Sequence, residues 1–246
     1  MLLRGQSNAV LLDNFGAIWK AQTEAERLLG FDGVNDKINV ISSYGQDTAN
    51  TMNSGTAFLT EWLSPRNGDW QQGWDIGKLE QKGTEFSRIN PLQQVPALEL
   101  DDGTIITESI AICRYFEELH PEPALFGRGA LGTALVEMWQ RRVEFHLLQG
   151  VQYVFRHTHP AMKEMEVPQV PAWAEATRPR VLSFLRLLDR ELAGRPFIAG
   201  EEFSVADITA LVAVQFMKPA RIDMPEGLAH LERWYNSVAA RPSASA

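Results

Sequence analysis

The run from Ile208 to Val214, ITALVAV, is apolar on nearly every side, and a helix that is hydrophobic all round is stable in water only when other elements enclose it. Just ahead of it, Phe203 to Ile208 reads FSVADI. There the Ser204 hydroxyl can accept from the amide of Asp207, while the Asp207 carboxylate reaches back to the amide of Ser204. Phe203 and Ile208 stand at the positions of a hydrophobic staple. The sequence therefore predicts a capped helix at the buried centre of a helical bundle, with Ser204 and Asp207 serving folding and not chemistry. Two enclosing helices are legible by their periodicity of about 3.6 residues. Leu131 to Phe155 places Leu135, Met138, Trp139, Arg142, Val143, Phe145 and Leu148 in that rhythm, and Pro179 to Leu192 repeats it with Val181, Phe184, Leu185 and Leu188.

A different architecture precedes the bundle. Asp75 to Arg88 is a weakly helical stretch that ends at the turn Asn90-Pro91. Val95 to Leu100, VPALEL, then reads as a strand whose proline stands at its start, where a missing amide is tolerated. Asp101-Asp102-Gly103 turns the chain, and Asp-Gly between apolar runs is a strong hairpin signal, so Thr104 to Thr107 is expected to return antiparallel. From Ser109, the residues Ile112, Tyr115, Phe116 and Leu119 fall at helical spacing until His120-Pro121 stops them. The unit is strand, strand, helix.

Composition narrows the function. The chain has 246 residues, 45% hydrophobic and 22% charged, enough to bury a sizeable core in one or two domains. Its formal net charge of −8 gives no basic field for nucleic acid or an anionic membrane. The single cysteine, Cys113, excludes an internal disulfide framework and fits a reducing, cytoplasmic setting. No stretch approaches the roughly 20 apolar residues of a membrane span, and the start MLLRGQSNAVLLDN lacks a signal-peptide pattern, so no targeting or spanning segment is expected. A seam falls near Trp74: seven of nine asparagines precede it, while twelve of thirteen prolines and all five histidines follow.

After the seam, INPLQQVPALELDDGTIITESIAICRYFEELHPEPALFG, then PFIAGEEFSVADITALVAV and finally LERWYNSVAARPSA resemble a cytosolic glutathione transferase of bacterial type, over about residues 75–246. The resemblance implies an α+β, mostly α fold. Residues 75–122 would form a partial thioredoxin-like domain, a β-hairpin plus helix with the first βαβ replaced. Residues 123–246 would form the all-helical C-terminal domain, and residues 1–74 an atypical N-terminal segment. It further implies glutathione as co-substrate, an electrophilic small molecule as its partner in conjugation, a role in detoxification and a homodimer. No metal is expected.

The resemblance also suggests site residues. Val95-Pro96 would be a cis peptide that turns the backbone of Val95 toward the cysteinyl part of glutathione, and a cis X-Pro bond costs only about 0.5–1 kcal/mol. An ordinary trans proline opening an edge strand is the alternative. Ser109 can offer a hydroxyl and a free amide at a helix N-terminus to the γ-glutamyl carboxylate, with Glu108 receiving the ammonium. The alternative for Ser109 is a simple helix cap. Gln94 is a further candidate near the glycyl end. Trp139, Arg142 and Phe145 either line the electrophile pocket or belong to the core. Cys113 inside an apolar helix reads as a buried, inert thiol. His157 and His159 form an HxH pair without further ligands at zinc spacing.

The family's catalytic Ser, Tyr or Cys follows its first strand, and nothing in residues 1–74 matches that motif, so the thiolate-stabilising residue has no assignment. A catalytically silent glutathione-binding or structural module is therefore the alternative to an enzyme. Residues 1–74 carry a resemblance of their own: LLRGQSNAVLL is similar to the nucleophile block of SGNH-type, sialate O-acetylesterase-like hydrolases. In that reading Ser7 would attack an acetyl ester. Such a serine needs a histidine base, and this segment contains none. Its coarse pattern is strand at Leu2 to Arg4, helix at Ala17 to Leu29 and strand at Ile38 to Ser42, with residues 44–74 poorly ordered. Without the family's first strand the hairpin edge would be left unpaired, unless this segment pairs with it as a surrogate.

Overall fold

The computed structural model describes residues 39–41, 80–94, 97–100, 102–119, 121–241 and 244. Ser7, the expected elements at Leu2 to Arg4 and Ala17 to Leu29, the stretch 44–74 and the pair Val95-Pro96 lie outside these. The chain divides into two units between Pro123 and Ala124.

In the first unit, β1 (Asn39–Ile41) is followed by a 3-10 turn at Glu80–Lys82 and the short helix α1 (Thr84–Ile89). Within the weakly helical stretch expected from Asp75 to Arg88, the described residues from Glu80 onward form two pieces, parted at Gly83, the N-cap of α1. Strands β2 (Ala97–Glu99) and β3 (Ile105–Thr107) make the expected hairpin, and helix α2 (Ser109–Leu119) closes the unit. At the turn each strand stops one residue short of its apolar run, since Leu100 and Thr104 belong to the turn. The Leu100 amide donates to Thr104, the Gly103 amide to Leu100, each at 2.9 Å, and the Thr104 amide to the Asp102 carboxylate, also at 2.9 Å. Gly103 sits at φ +81°, the left-handed conformation that the Asp-Gly signal anticipates.

The sheet has the order β1-β2-β3 with antiparallel pairs throughout. The hairpin edge that the sequence leaves open is thereby covered: residues from ahead of the seam supply a strand against β2, and Asn39–Ile41 falls within the strand expected from Ile38 to Ser42. Leu98 pairs with Ile106 across the hairpin, and paired residues share a sheet face. On that face Leu98, Ile112 and Phe116 form a buried cluster with Leu100, Ile106 and Tyr115 packed against it. Ile112 and Phe116 are one helical turn apart, so α2 presents one apolar stripe to the hairpin.

The second unit is helical. Helix α3 (Gly129–Val143) passes through a π-helical turn at Glu144–Leu148 into α4 (Gln149–Thr158), so the single helix expected from Leu131 to Phe155 is one run with a wide turn inside it. After a 3-10 turn at Pro160–Met162 come α5 (Pro171–Leu192), α6 (Val205–Phe216) and α7 (Ala229–Ala239). Helix α5 starts earlier than expected. Pro179 is not its first residue but lies inside it. A proline there removes one bond to the carbonyl four residues back, which is Glu175, on the exposed side. All of α6 except Gln215 is buried, as an all-apolar helix requires. Gly150 on α4 lets α5 approach: a Cβ built there would stand 2.7 Å from Val181 Cγ2. Among the described residues no helix is long and apolar enough to cross a membrane.

Candidate functional site

Register decides what the hairpin brings together. Ala97, the first residue of β2, pairs with Thr107, the last of β3, so the start of β2 and the pair Glu108-Ser109, which follows Thr107, belong to the same end of the hairpin. The C-terminal residue of β1, Ile41, also pairs with Ala97.

On the described side of Val95-Pro96, the turn after α1 is held by side chains. Asn90 is only 2% exposed. Its Oδ1 accepts the Leu92 amide at 3.0 Å and its Nδ2 donates to the Gln94 carbonyl at 2.7 Å. Gln93 has φ +56°, left-handed backbone that costs a residue with a side chain roughly 1–2 kcal/mol. Its Nε2 compensates by donating to Ser87 Oγ at 2.9 Å and to the Lys82 carbonyl at 3.3 Å. Gln94 itself is exposed. Sequence reasoning marks Asn90-Pro91 as a turn but gives neither Asn90 nor Gln93 a part in the site, although an asparagine side chain that bonds the backbone two residues on is a recognised turn device.

On the other side, Glu108 also lies in left-handed backbone, at φ +68°, and is exposed. Its carbonyl accepts the Ile112 amide at 3.0 Å, so Glu108 occupies the cap position of α2 and Ser109 is the first helical residue. The alternative for Ser109, a simple helix cap, is thereby set aside. The first amides of a helix have no partner within it, which leaves a half-buried Ser109 at a donor-rich end. The hairpin end thus combines an exposed carboxylate with the first amides of a helix and a hydroxyl, a set suited to a zwitterionic amino-acid group.

Farther along α2, Cys113 is half-buried, less enclosed than the sequence leads one to expect; desolvation still pushes its thiol well above the usual thiol range, and the Glu117 carboxylate adds to this. The thiolate needed of a nucleophile is therefore disfavoured there.

The remaining candidates lie in the second unit. Trp139 is 2% exposed, with the guanidinium groups of Arg142 and Arg195 over its ring at 4.8 and 4.5 Å from the centroid. Phe145 is exposed and lies under Arg141. Trp139 is core and Phe145 is surface, so the triplet does not form one lining. His157 and His159 are spent on the backbone, their Nδ1 atoms accepting the amides of Val170 at 3.1 Å and Ala161 at 3.2 Å. Among the described residues no group of three His, Cys, Asp or Glu side chains is placed to hold a metal ion. Ser204 and Asp207 form the expected capping box. The Asp207 carboxylate accepts from the Ser204 amide at 3.0 Å and the Ser204 hydroxyl at 3.1 Å, and also from the Ile198 amide and the Trp234 indole, both at 2.8 Å. Burial raises the Asp207 pKa against the pull of these donors.

Known proteins resemble this chain in sequence and in fold. The glutathione S-transferase N-terminal domain family matches residues 54–119, and the C-terminal domain family residues 171–237. The first match begins inside the stretch that composition sets apart. Glutathione S-transferase 2 of Saccharomyces cerevisiae is 36% identical over 170 residues, 69% of this chain and 73% of that protein. A solved glutathione S-transferase domain-containing protein from Marinobacter aquaeolei is similar at 37% identity and a TM-score of 0.67, covering 69% of this chain and 83% of its own. The solved Gtt2 of Saccharomyces cerevisiae has 34% identity and a TM-score of 0.67, covering 76% and 89%. With one relative above a third in identity across most of both sequences, and both domain families matched in order, the chain belongs to the glutathione S-transferase family.

Proposed function

We propose that this chain binds glutathione at the hairpin end and conjugates it to electrophilic small molecules. The observation that supports this reading is the Ala97 to Thr107 register, which puts the start of β2, the strand that Gln94-Val95-Pro96 precede in sequence, at the same end of the hairpin as Glu108-Ser109. The γ-glutamyl ammonium meets the Glu108 carboxylate. Its carboxylate takes the Ser109 hydroxyl and the free amides of α2, the cysteinyl backbone pairs with that of Val95 ahead of Pro96, and Gln94 reaches the glycyl end. In the reaction the glutathione thiol gives its proton to solvent and the sulfur attacks an electrophilic carbon. The S–C bond forms as the leaving group departs with its electron pair, or as a π pair shifts onto an acceptor. A homodimer acting in cytoplasmic detoxification is the setting that goes with this reading.

A second reading, a glutathione-binding module without turnover, is favoured by the lack of any residue in this sequence that matches the family's thiolate-stabilising Ser, Tyr or Cys. Calorimetric titration of glutathione into the full chain, beside Glu108→Ala, tests the shared part: saturable binding that weakens at least tenfold in the variant is expected. Turnover of a general aryl halide then separates the two. A rate above that of free glutathione selects the enzyme, and a rate equal to it selects the silent module.

A further inference from the structure

We infer that His157 and His159 latch the segment 160–170 to the end of α4 and that the latch opens in mild acid, which makes the joint between α4 and α5 sensitive to pH. The inference is independent of the glutathione reading, because it concerns the second unit alone. His157 lies in the last turn of α4 and His159 is its C-cap. Each spends Nδ1 on a backbone amide of the segment. His159 is also the N-cap of the 3-10 turn Pro160–Met162 and accepts the Ala161 amide at 3.2 Å. His157 accepts the amide of Val170, the N-cap of α5, at 3.1 Å. The two bonds therefore hold opposite ends of the segment. Side-chain acceptors at helix starts are usually Ser, Thr, Asp or Asn, whose ordinary charge does not change near neutral pH; here imidazoles supply both.

Only a neutral imidazole can accept. Once protonated, both of its ring nitrogens are donors, so no rotation of the ring restores a partner to the amide, and two N–H groups face each other. The bonds are thus present at the higher pH and lost as pH falls through the range in which imidazoles take up a proton. The surroundings of the two rings do not replace what is lost. From the segment, Glu166 Oε1 stands 3.9 Å from His157 Nε2 and attracts the charged ring, but it acts on the other nitrogen, and Arg156 already pairs with Glu166 at 2.6 Å. Lys163 and Glu164 of the segment are exposed. From α4 the Tyr153 ring lies 6.4 Å from His157, and α5 brings Trp173 against Tyr153, with Arg180 over the Trp173 ring. His159 stacks on Phe155 with 4.5 Å between centroids, a contact that holds the ring and leaves Ala161 without an acceptor. Gln169 Nε2 donates to the carbonyls of Arg156 at 2.7 Å and His159 at 2.9 Å. Acid therefore frees the two amides at the segment's ends, the start of α5 among them, while Glu166 and Gln169 keep the segment beside α4.

Hydrogen exchange of individual amides in the full chain, corrected for the intrinsic effect of pH on exchange, reads the latch. In wild type the protection of the Ala161 and Val170 amides is expected to fall severalfold between about pH 7.5 and about pH 5.5, while amides in the middle of α5 keep theirs. Unchanged protection at either amide overturns the inference. The double variant His157→Asn, His159→Asn identifies the titrating groups, because asparagine offers an oxygen where Nδ1 stands and does not titrate. Protection that no longer depends on pH in that variant supports the inference. A fall equal to that of wild type assigns the effect to another group and overturns it. If the double variant does not fold, the single variants answer end by end: His157→Asn should leave only Ala161 sensitive to pH, and His159→Asn only Val170. Sensitivity retained at the substituted end overturns the inference as well.

Discussion

The Asp207 carboxylate accepts the indole N–H of Trp234 at 2.8 Å, from a residue 27 positions farther along the chain. With Ile198 on the same oxygen and Ser204 on the other, one buried side chain joins α6, α7 and the loop ahead of α6. Asp207→Asn keeps an oxygen for two of these donors but turns an N–H toward the Ser204 amide. A loss of roughly 2–4 kcal/mol in unfolding free energy is expected, readable by denaturant titration.

The same residue gives a pH prediction. Burial outweighs the donors and lifts the pKa of native Asp207 above its ordinary value. The native state therefore holds this proton to higher pH than the unfolded chain. Stability from this group is fully present below the unfolded pKa and is lost as pH rises through the interval up to the native one. The melting-temperature gap between wild type and Asp207→Asn should accordingly narrow as pH rises through that interval, other groups cancelling in the difference. A gap that widens over that range contradicts the assignment.

Glu108 separates strain from binding. Its φ of +68° suits glycine, so Glu108→Gly should be more stable than Glu108→Ala by about 1 kcal/mol, while both lose the carboxylate proposed for the γ-glutamyl ammonium. Thermal melts rank the stabilities and glutathione titration measures the shared loss.

Gly150 tests the approach of α4 to α5. Alanine there would place its Cβ 2.7 Å from Val181 Cγ2. Overpacking costs about 1–3 kcal/mol, offset in part by roughly 1 kcal/mol of helix propensity. Adding Val181→Ala removes the clashing methyl, so the cost of Gly150→Ala should shrink in the double variant, as a double-mutant cycle would measure.

Cys113 should be slow to react. With its pKa raised by burial and by Glu117, the thiol stays protonated at mildly alkaline pH where an exposed cysteine is partly ionised. Native protein at that pH should consume a thiol-specific disulfide reagent far more slowly than the same chain in denaturant. Equal rates would place the thiol in open solvent.

Periodicity and capping made much of the second unit legible. ITALVAV had to be interior, and FSVADI marked where its helix begins, because those signals lie within one or two turns of chain. The Asp-Gly turn located the hairpin for the same reason. What local signals missed was decided by distant partners. The start of α5 was misplaced because a proline is the usual mark of a first turn, while an exposed helix side tolerates the missing bond at Pro179. Asn90 was legible as a turn residue and no more, because its importance lies in the bonds of its folded turn. For Ser109 residue type alone leaves a simple cap as the alternative to a glutathione contact, whereas the backbone bond from Ile112 gives the cap position to Glu108. The pairing of β1 with β2 joins segments far apart in sequence, and no short pattern announces it.

Because side chains alternate across a strand, sliding β2 against β3 by a single residue would carry Leu98 or Ile106 out of the cluster with Ile112 and Phe116. The same slip would part Ala97 from Thr107, the residue that leads into Glu108. The apolar cluster therefore acts as a ruler for the polar end: an error of one residue in the spacing there carries the cost of an emptied core, so misfolded chains with a nearly correct hairpin end are selected against by hydrophobicity alone.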